Sequence, residues 1–304
     1  MNIAFASSIK YLYPAKVMLC SLLINNDCEI HVYLLASELP DEAIDELESY
    51  LKKISPKCFL YPIRVEKNVF ADLPMMGHFS VETYYRILVL KVLPESVDRA
   101  FFFDADLLIT DNIQDFYNQD FNDNLIIACK DFTISGKELE HYKKLGLPDF
   151  YTYINAGMLL YNIKEIRKRY PWETILKFIA EKKDTIKWLD QDIVNMLFHE
   201  SIRVCEHFYN IQVPNVASRA EEFLFRKTAK IIHYCSYRKP WDSTYAGIMS
   251  DIWWSYAVKA GYNLEYEKFK KKSMGKRVKR FIFRAIEYIC NRIRRSSREF
   301  LKLD

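Results

Sequence analysis

The sequence predicts an α/β protein built on a doubly wound, mostly parallel sheet, and three observations carry that expectation. Its first 63 residues read strand, helix, strand, helix, strand, the order in which right-handed crossovers build a parallel layer. Residues 101–109, FFFDADLLI, open with three consecutive phenylalanines, as a strand buried on both faces requires. No repeat or low-complexity linker divides residues 1–265, which therefore read as one unit.

The elements follow in order. MNIAFASS is a strand in which Ile3 and Phe5 mark the alternation and Ser7 and Ser8 the exit. Residues 14–26 suit a helix, with Pro14 near the start and Val17, Leu19, Cys20, Leu22 and Leu23 as apolar positions. Glu29–Leu35 is the second strand. In residues 39–54, Pro40 and the early acids fit a helix start, and Ile44, Leu47, Leu51 and Ile54 form its stripe. Phe59–Ile63 is the third strand, residues 80–93 a helix, and FFFDADLLI the next strand. Leu125–Cys129 is another buried strand, and the polar segment 130–150 reads as a surface excursion. Tyr153–Tyr161 reads as a strand interrupted by Asn-Ala-Gly, where Gly157 admits a close backbone approach. Residues 171–183 and 190–199 are helical by pattern, and Ile231–Cys235 is a short strand beside His233.

Composition sets the bounds. The 304 residues are 50% apolar and 28% charged, with 7 Gly and 10 Pro, which describes a folded chain with ample core. The 21 Tyr, 20 Phe and 5 Trp supply packing and ring surfaces. Cysteines at 20, 28, 58, 129, 205, 235 and 290 form no CxxC pair or zinc cluster, which points to a reducing compartment. No charged leader with a long apolar core and no membrane-length stretch is present, so secretion and membrane insertion are not expected. Residues 268–304 hold 14 Lys/Arg against 3 acids, whereas the body before them is mildly acidic.

Asp104 and Asp106 end the FFF run. In a strand, side chains at i and i+2 point the same way, so both carboxylates would converge on one cation at the strand's exit. A strand running into an acidic turn is the plainer alternative. Two aspartates with the imidazole of His233 suit Mn²⁺ or Mg²⁺ better than structural zinc, unless His233 is simply a satisfied core residue. Lys239, held by Pro240 and Trp241, can neutralise phosphate. In the segment ASSIKY (Ala6–Tyr11), Ser7 and Ser8 offer hydroxyls, Lys10 a charge and Tyr11 a ring for stacking, in the first β-to-α loop where such folds bind nucleotides. Neither GxGxxG nor GxxxxGKS/T occurs. Asp190 and Gln191 precede an apolar run; Asp190 would grip sugar hydroxyls or cap a helix. Arg86 would pair with one of these acids, reach a sugar, or form a surface salt bridge.

With these motifs in this order, residues 1 to about 242 resemble glycosyltransferase family 8, the retaining, metal-dependent transferases that use nucleotide-diphosphate sugars, and most of all its bacterial lipopolysaccharide galactosyl- and glucosyltransferases. FFFDADLLI resembles the family's Asp-x-Asp strand, YINAGMLLYNI its Asn-Ala-Gly strand, WLDQDIVN its Asp-Gln segment and HYCSYRKPW its His-x-x-Gly-x-x-Lys-Pro-Trp segment. The resemblance implies a single Rossmann-like domain of GT-A type over residues 1–265, with a mostly parallel mixed sheet. It makes Asp104, Asp106 and His233 the metal ligands and Lys239 a diphosphate contact. It puts Ala6, Ser8, Lys10 and Ser236 beside the nucleotide, Tyr11 on uracil, and Arg86, Asp104, Asn155, Asp190 and Gln191 at the donor sugar. Three positions depart from the pattern: Ser8 stands for the family's Asp, Lys10 for its Asn and Ser236 for its Gly.

The implied reaction transfers galactose or glucose from a UDP-sugar to a saccharide or lipid-linked saccharide with retention. Gln191, Asp190 and Asp104 are its catalytic candidates. A sugar nucleotidyltransferase, a nucleic-acid-binding protein and a silent scaffold are the competing readings. The first would want a Gly-rich basic loop near the N-terminus, and the second rests on the tail alone, so no nucleic-acid partner is expected. Within the tail, residues 266–304, Val278, Phe281, Ile282, Ala285, Ile286, Ile289 and Ile293 recur at three- and four-residue spacing among Lys and Arg. That predicts a basic amphipathic helix holding a cytoplasmic protein peripherally at the anionic inner face of the membrane.

Overall fold

Short apolar runs divided by polar turns set the layout of the computed structural model, which describes residues 1–66, 70, 81–132, 139–242 and 247–271. The chain divides into two compact units, Met1–Tyr237 and Arg238–Asp304. The first begins with β1 (Asn2–Ala6), α1 (Leu12–Asn25), β2 (Ile30–Ala36), α2 (Asp41–Ile54) and β3 (Cys58–Arg64), the predicted order. Pro14 lies in the first turn of α1, where a backbone N–H would have no intrahelical partner. Asp41 and Glu42 open α2 and Lys52 and Lys53 close it, matching the helix dipole at both ends, while Ile44, Leu47 and Leu51 are buried. A 3-10 turn (Val81–Tyr84) then leads into α3 (Tyr85–Val92).

The remainder of this unit runs β4 (Ala100–Phe103), β5 (Leu107–Ile109), α4 (Gln114–Tyr117), β6 (Ile126–Lys130), α5 (Leu139–Lys144) and β7 (Ile154–Tyr161). Next come α6 (Ile163–Arg169), α7 (Trp172–Lys182), α8 (Leu189–Phe198), β8 (Ile202–Cys205), β9 (Ile211–Gln212), α9 (Arg219–Thr228) and β10 (Ile231–His233). The main sheet has the order β3-β2-β1-β4-β7-β6-β8, with β7 antiparallel to both neighbours and the other pairs parallel. A smaller sheet, β5-β10-β9, carries the site's second half. Phe101 and Phe103 enter the core on one face of the main sheet, and Ala100 and Phe102 the core on the other. Each buried phenylalanine contributes roughly 1.5–3 kcal/mol, so β4 is a firm base for the residues that follow it.

Two local expectations are corrected. FFFDADLLI is two strands in two sheets: the chain leaves the main sheet at Phe103, turns through Asp104–Asp106 with Leu107 N–H donating to Asp104 O at 3.2 Å, and pairs with β10 as β5. β7 is one wholly buried strand, but its ladder to β6 is interrupted at Asn-Ala-Gly as expected: Ala128 pairs with Leu159 and Lys130 with Ile154, so the surplus residues of the register shift fall within 155–158 of β7. The segment 130–150 is more than a surface excursion, because Asp131, His141, Leu145 and Leu147 are buried in it. His141 turns inward to meet the buried carboxylate of Asp192 at 3.0 Å.

None of the six described cysteines is in a disulfide, and the register of β6 with β8 brings Cys129 and Cys205 sulfurs to 3.0 Å. In the second unit, Trp254 of α10 (Ser250–Lys259) stacks on Tyr266 and Phe269 of the helical stretch 263–271. The tail helix expected over Val278–Ile293 lies outside the described residues. No described helix is long and apolar enough to cross a membrane.

Candidate active site

The turn after β4 and the end of β10 meet because β5 and β10 pair antiparallel with His233 opposite Leu107, and Tyr234 N–H donates to Asp106 O at 3.1 Å. His233 Nε2 then lies 3.2 Å from Asp106 Oδ1 and 3.9 Å from Asp104 Oδ2. One ligand atom from each of Asp104, Asp106 and His233 falls within 4.8 Å of the others. Convergence comes from this turn and the cross-sheet pairing, in place of the expected i, i+2 alternation along one strand.

Hydrogen bonding sets the histidine's tautomer. Gly157 N–H donates to Asn155 Oδ1 at 3.1 Å, so that oxygen is an acceptor and Asn210 must offer it Nδ2, at 3.0 Å. Asn210 Oδ1 is thereby turned toward His233 Nδ1, 3.1 Å away, and that nitrogen carries the proton. Nε2 is left as the ring nitrogen that faces the two carboxylates. Two carboxylates and one imidazole nitrogen facing one another can hold a cation, and a histidine oriented through its other nitrogen is how proteins prepare a metal ligand. The space is also shaped for it: a Cβ on Gly157 would stand 2.2 Å from His233 Cε1 and 2.9 Å from Asp104 Oδ2.

Buried Arg86, on α3, links the turn to α8. Its Nη2 donates to Asp104 Oδ1 at 2.9 Å and its Nε pairs with Asp190 Oδ2. Burial works to lower the Arg86 pKa, but the flanking Asp104 and Asp190 outweigh it and hold the guanidinium above its usual range. Burial pushes the Asp190 carboxyl up to about 7, with Arg86 opposing and Asp104 adding to the rise. Asp190 is not a helix cap: it sits inside the first turn of α8. Asp192 holds that end, its Oδ2 accepting from Lys187 and Trp188 N–H at 2.7 Å each and its Oδ1 from Tyr153 OH at 2.5 Å.

Gln191 is gripped at both ends of its amide. Ala156 N–H donates to its Oε1 at 3.0 Å, which leaves Nε2 to donate to Asp131 Oδ2 at 2.9 Å; Asn155 Nδ2 donates to the same Asp131 oxygen at 3.1 Å. Asp131, Asn210 and Asp192 therefore belong to the site's framework although the motif reading passed over them. Asp131 had a signal, since LIIACKD, like FFFD, is an apolar strand ending in an aspartate. β4 and β6 are both antiparallel to β7 and so reach the same edge. For Asn210 no pattern in the chain points to it.

At that edge, β1 pairs with β4 with Phe5 opposite Phe103, which sets Ala6 level with Asp104 and the segment Ser8–Tyr11 just beyond. Ser7 is buried and its hydroxyl donates to Ser8 O at 3.0 Å, so it is used inside the turn. Ser8 is half-buried, Lys10 exposed, and Tyr11 partly buried against the core. Ser236 is half-buried three residues past His233. Lys239 belongs to the second unit, where its ammonium lies 5.9 Å from the ring centre of Trp241.

Comparison with known proteins identifies the family and the fold. The sequence model of glycosyl transferase family 8 matches residues 2–245. The glycosyltransferase GlyE of Streptococcus pneumoniae is 24% identical over 268 residues, 84% of this chain, which spans 60% of that protein's length. A lipopolysaccharide 1,2-glucosyltransferase of Escherichia coli is 24% identical over 284 residues, covering 89% of this chain and 82% of that one. Among solved structures, the galactosyltransferase LgtC in complex with donor and acceptor sugar analogs superposes with a TM-score of 0.74 at 25% identity, covering 85% of this chain and 96% of that one. The solved neighbours bear out the predicted GT-A type fold.

Proposed function

The chain belongs to glycosyl transferase family 8, and from that premise we propose that it moves galactose or glucose from a UDP-sugar to a saccharide or lipid-linked saccharide acceptor in bacterial surface polysaccharide synthesis, with retention. The convergence of Asp104, Asp106 and a tautomer-set His233 beside the first β-to-α loop supports this reading most strongly. These three residues would hold the divalent ion, Mn²⁺ or Mg²⁺, whose chemistry here is to neutralise charge on the leaving diphosphate. Asp190, fixed against Arg86, orients hydroxyls of the donor sugar. The Gln191 amide, held by Ala156 and Asp131, lies ready to stabilise positive charge on the sugar ring. An amide is a poor nucleophile, so the route proposed is same-face attack. The C1–O bond to the diphosphate breaks, the acceptor oxygen bonds C1 on that face, and the acceptor proton passes to the departing phosphate oxygen. Orientation and electrostatics then supply most of the catalysis.

The donor reading is tested at Tyr11. Base stacking on an aromatic contributes about 1–3 kcal/mol, so Tyr11→Ala should weaken UDP binding by roughly 5- to 150-fold in calorimetric titration. Equal affinity in the two proteins would leave Tyr11 as packing only.

Asp190 supplies a pH test. With its carboxyl pushed up to about 7, transfer should rise with pH through that value as the carboxylate forms, and Asp190→Asn should lack this limb. Stability runs the other way. Between about pH 4, where an unfolded aspartate titrates, and about pH 7, the native state keeps a proton the unfolded chain has released, so the group's contribution falls as pH rises. A pH-rate profile of wild type without an inflection near 7 would contradict the assignment.

A further inference from the structure

A surface helix ordinarily turns its apolar stripe to the core and its charges to water. The helix Arg219–Thr228 does the reverse: none of its residues is buried, and Phe223 is 62% and Leu224 53% exposed. At 100° per residue, Arg219, Phe223, Leu224, Arg226 and Lys227 share one outward face, and all five are exposed. Both acids of the helix, Glu221 and Glu222, are half-buried on the other side, where Phe225 meets the His207 ring edge-on at 5.2 Å. They are also committed to the protein: Glu221 accepts Ala217 N–H at 2.7 Å and Glu222 pairs with Arg226 at 2.7 Å. The outer face thus carries two large apolar side chains and the cations Arg219 and Lys227, beside an Arg226 whose charge is shared with Glu222.

We propose that this helix docks on an anionic lipid surface, with Phe223 and Leu224 entering the boundary between headgroups and acyl chains and Arg219 and Lys227 meeting acidic headgroups. That pairing of residue types is what an interfacial helix uses. Lys227 Nζ lies 4.0 Å from the Phe223 ring centre, so the cation and the ring form one unit whose ammonium can stay at headgroup level as the ring sinks. The helix is formed beforehand, with the Ser218 hydroxyl accepting Glu221 N–H at 3.1 Å, so docking costs no folding entropy. Only Ala229 and Lys230 separate it from β10, the strand that ends in His233, so docking would tether the metal-ligand strand close to the bilayer. The proposal holds whichever donor or acceptor the site takes.

Phe223→Trp in the full-length protein tests it, because an indole at this position reports on the helix itself even if other segments also bind lipid. Vesicles of phosphatidylcholine with phosphatidylglycerol, prepared with and without brominated acyl chains, are added to this variant and to wild type. The difference signal should be quenched by brominated lipid in the anionic vesicles and scarcely in phosphatidylcholine alone. Adding Arg219→Gln and Lys227→Gln should weaken the anionic partition by about tenfold, as expected for two cations at roughly 1 kcal/mol each screened in part by salt. No quenching at position 223, whether the protein is bound to vesicles or not, overturns the proposal. So does capture by an acidic protein with no lipid quenching. Equal quenching in neutral vesicles overturns its electrostatic half.

Discussion

Asp106→Asn removes almost all turnover, and the response to divalent ions with it, while the fold stays intact. Asp106 is buried at the turn between the two sheets, 3.2 Å from His233 Nε2. An amide of the same shape keeps the turn but takes away the negative charge a hard cation requires. Charge stabilisation by a bound cation is worth several kcal/mol, so kcat should fall by about a thousandfold or more. Stability should hold or rise slightly, because one of two neighbouring carboxylates has lost its charge. Turnover measured against Mn²⁺ concentration checks this. Near-normal activity with an unchanged Mn²⁺ response would show that Asp106 is no ligand.

Gly157→Ala produces the other large effect, from one methyl group. The new Cβ would lie 2.2 Å from His233 Cε1 and 2.9 Å from both His233 Nε2 and Asp104 Oδ2, far inside ordinary contact. Neither side can retreat. β7 is paired with β4 and β6, Asp104 N–H is bonded to Gly157 O at 2.8 Å, and the His233 ring is buried and tied to Asn210. The imidazole must therefore leave its place or the strand must shift, an overpacking cost of about 1–3 kcal/mol. The variant should fold with reduced stability and lose divalent affinity nearly as fully as His233→Ala. Mn²⁺ titration by electron paramagnetic resonance distinguishes the outcomes, and wild-type affinity would contradict the cradle geometry.

Local pattern carried the sequence reading as far as local physics reaches. The order β1-α1-β2-α2-β3, the double-sided burial of Phe101–Phe103, the proximity of Asp104 to Asp106 and the close approach at Gly157 were all legible, because each depends on near neighbours or on steric demands a residue type announces. Contacts between distant segments were not. The chain switches sheets at Asp104 because β5 finds β10 more than 120 residues later, and nothing in FFFDADLLI records that partner. Asp190 looks like a cap from its place before an apolar run, yet it lies inside the helix, and it is Asp192 that reaches back to Lys187 and Trp188 N–H. Asn155, Ala156 and Gly157 do break the ladder between β7 and β6, but that Gln191 and Asn210 supply the side chains that satisfy them was not legible. Asp131 and Asn210 matter through bonds to residues 23 to 60 positions away.

The central claim is that Asp104, Asp106 and His233 form a divalent-ion site serving the departure of a nucleoside diphosphate from a hexose. UDP release from UDP-galactose and UDP-glucose, measured beside the GDP- and ADP-sugars with Mn²⁺ or with chelator, tests it most directly. The account predicts release from a UDP-hexose in the presence of Mn²⁺ and almost none once the ion is chelated. Undiminished release in chelator, or turnover confined to another nucleotide's sugars, would contradict it.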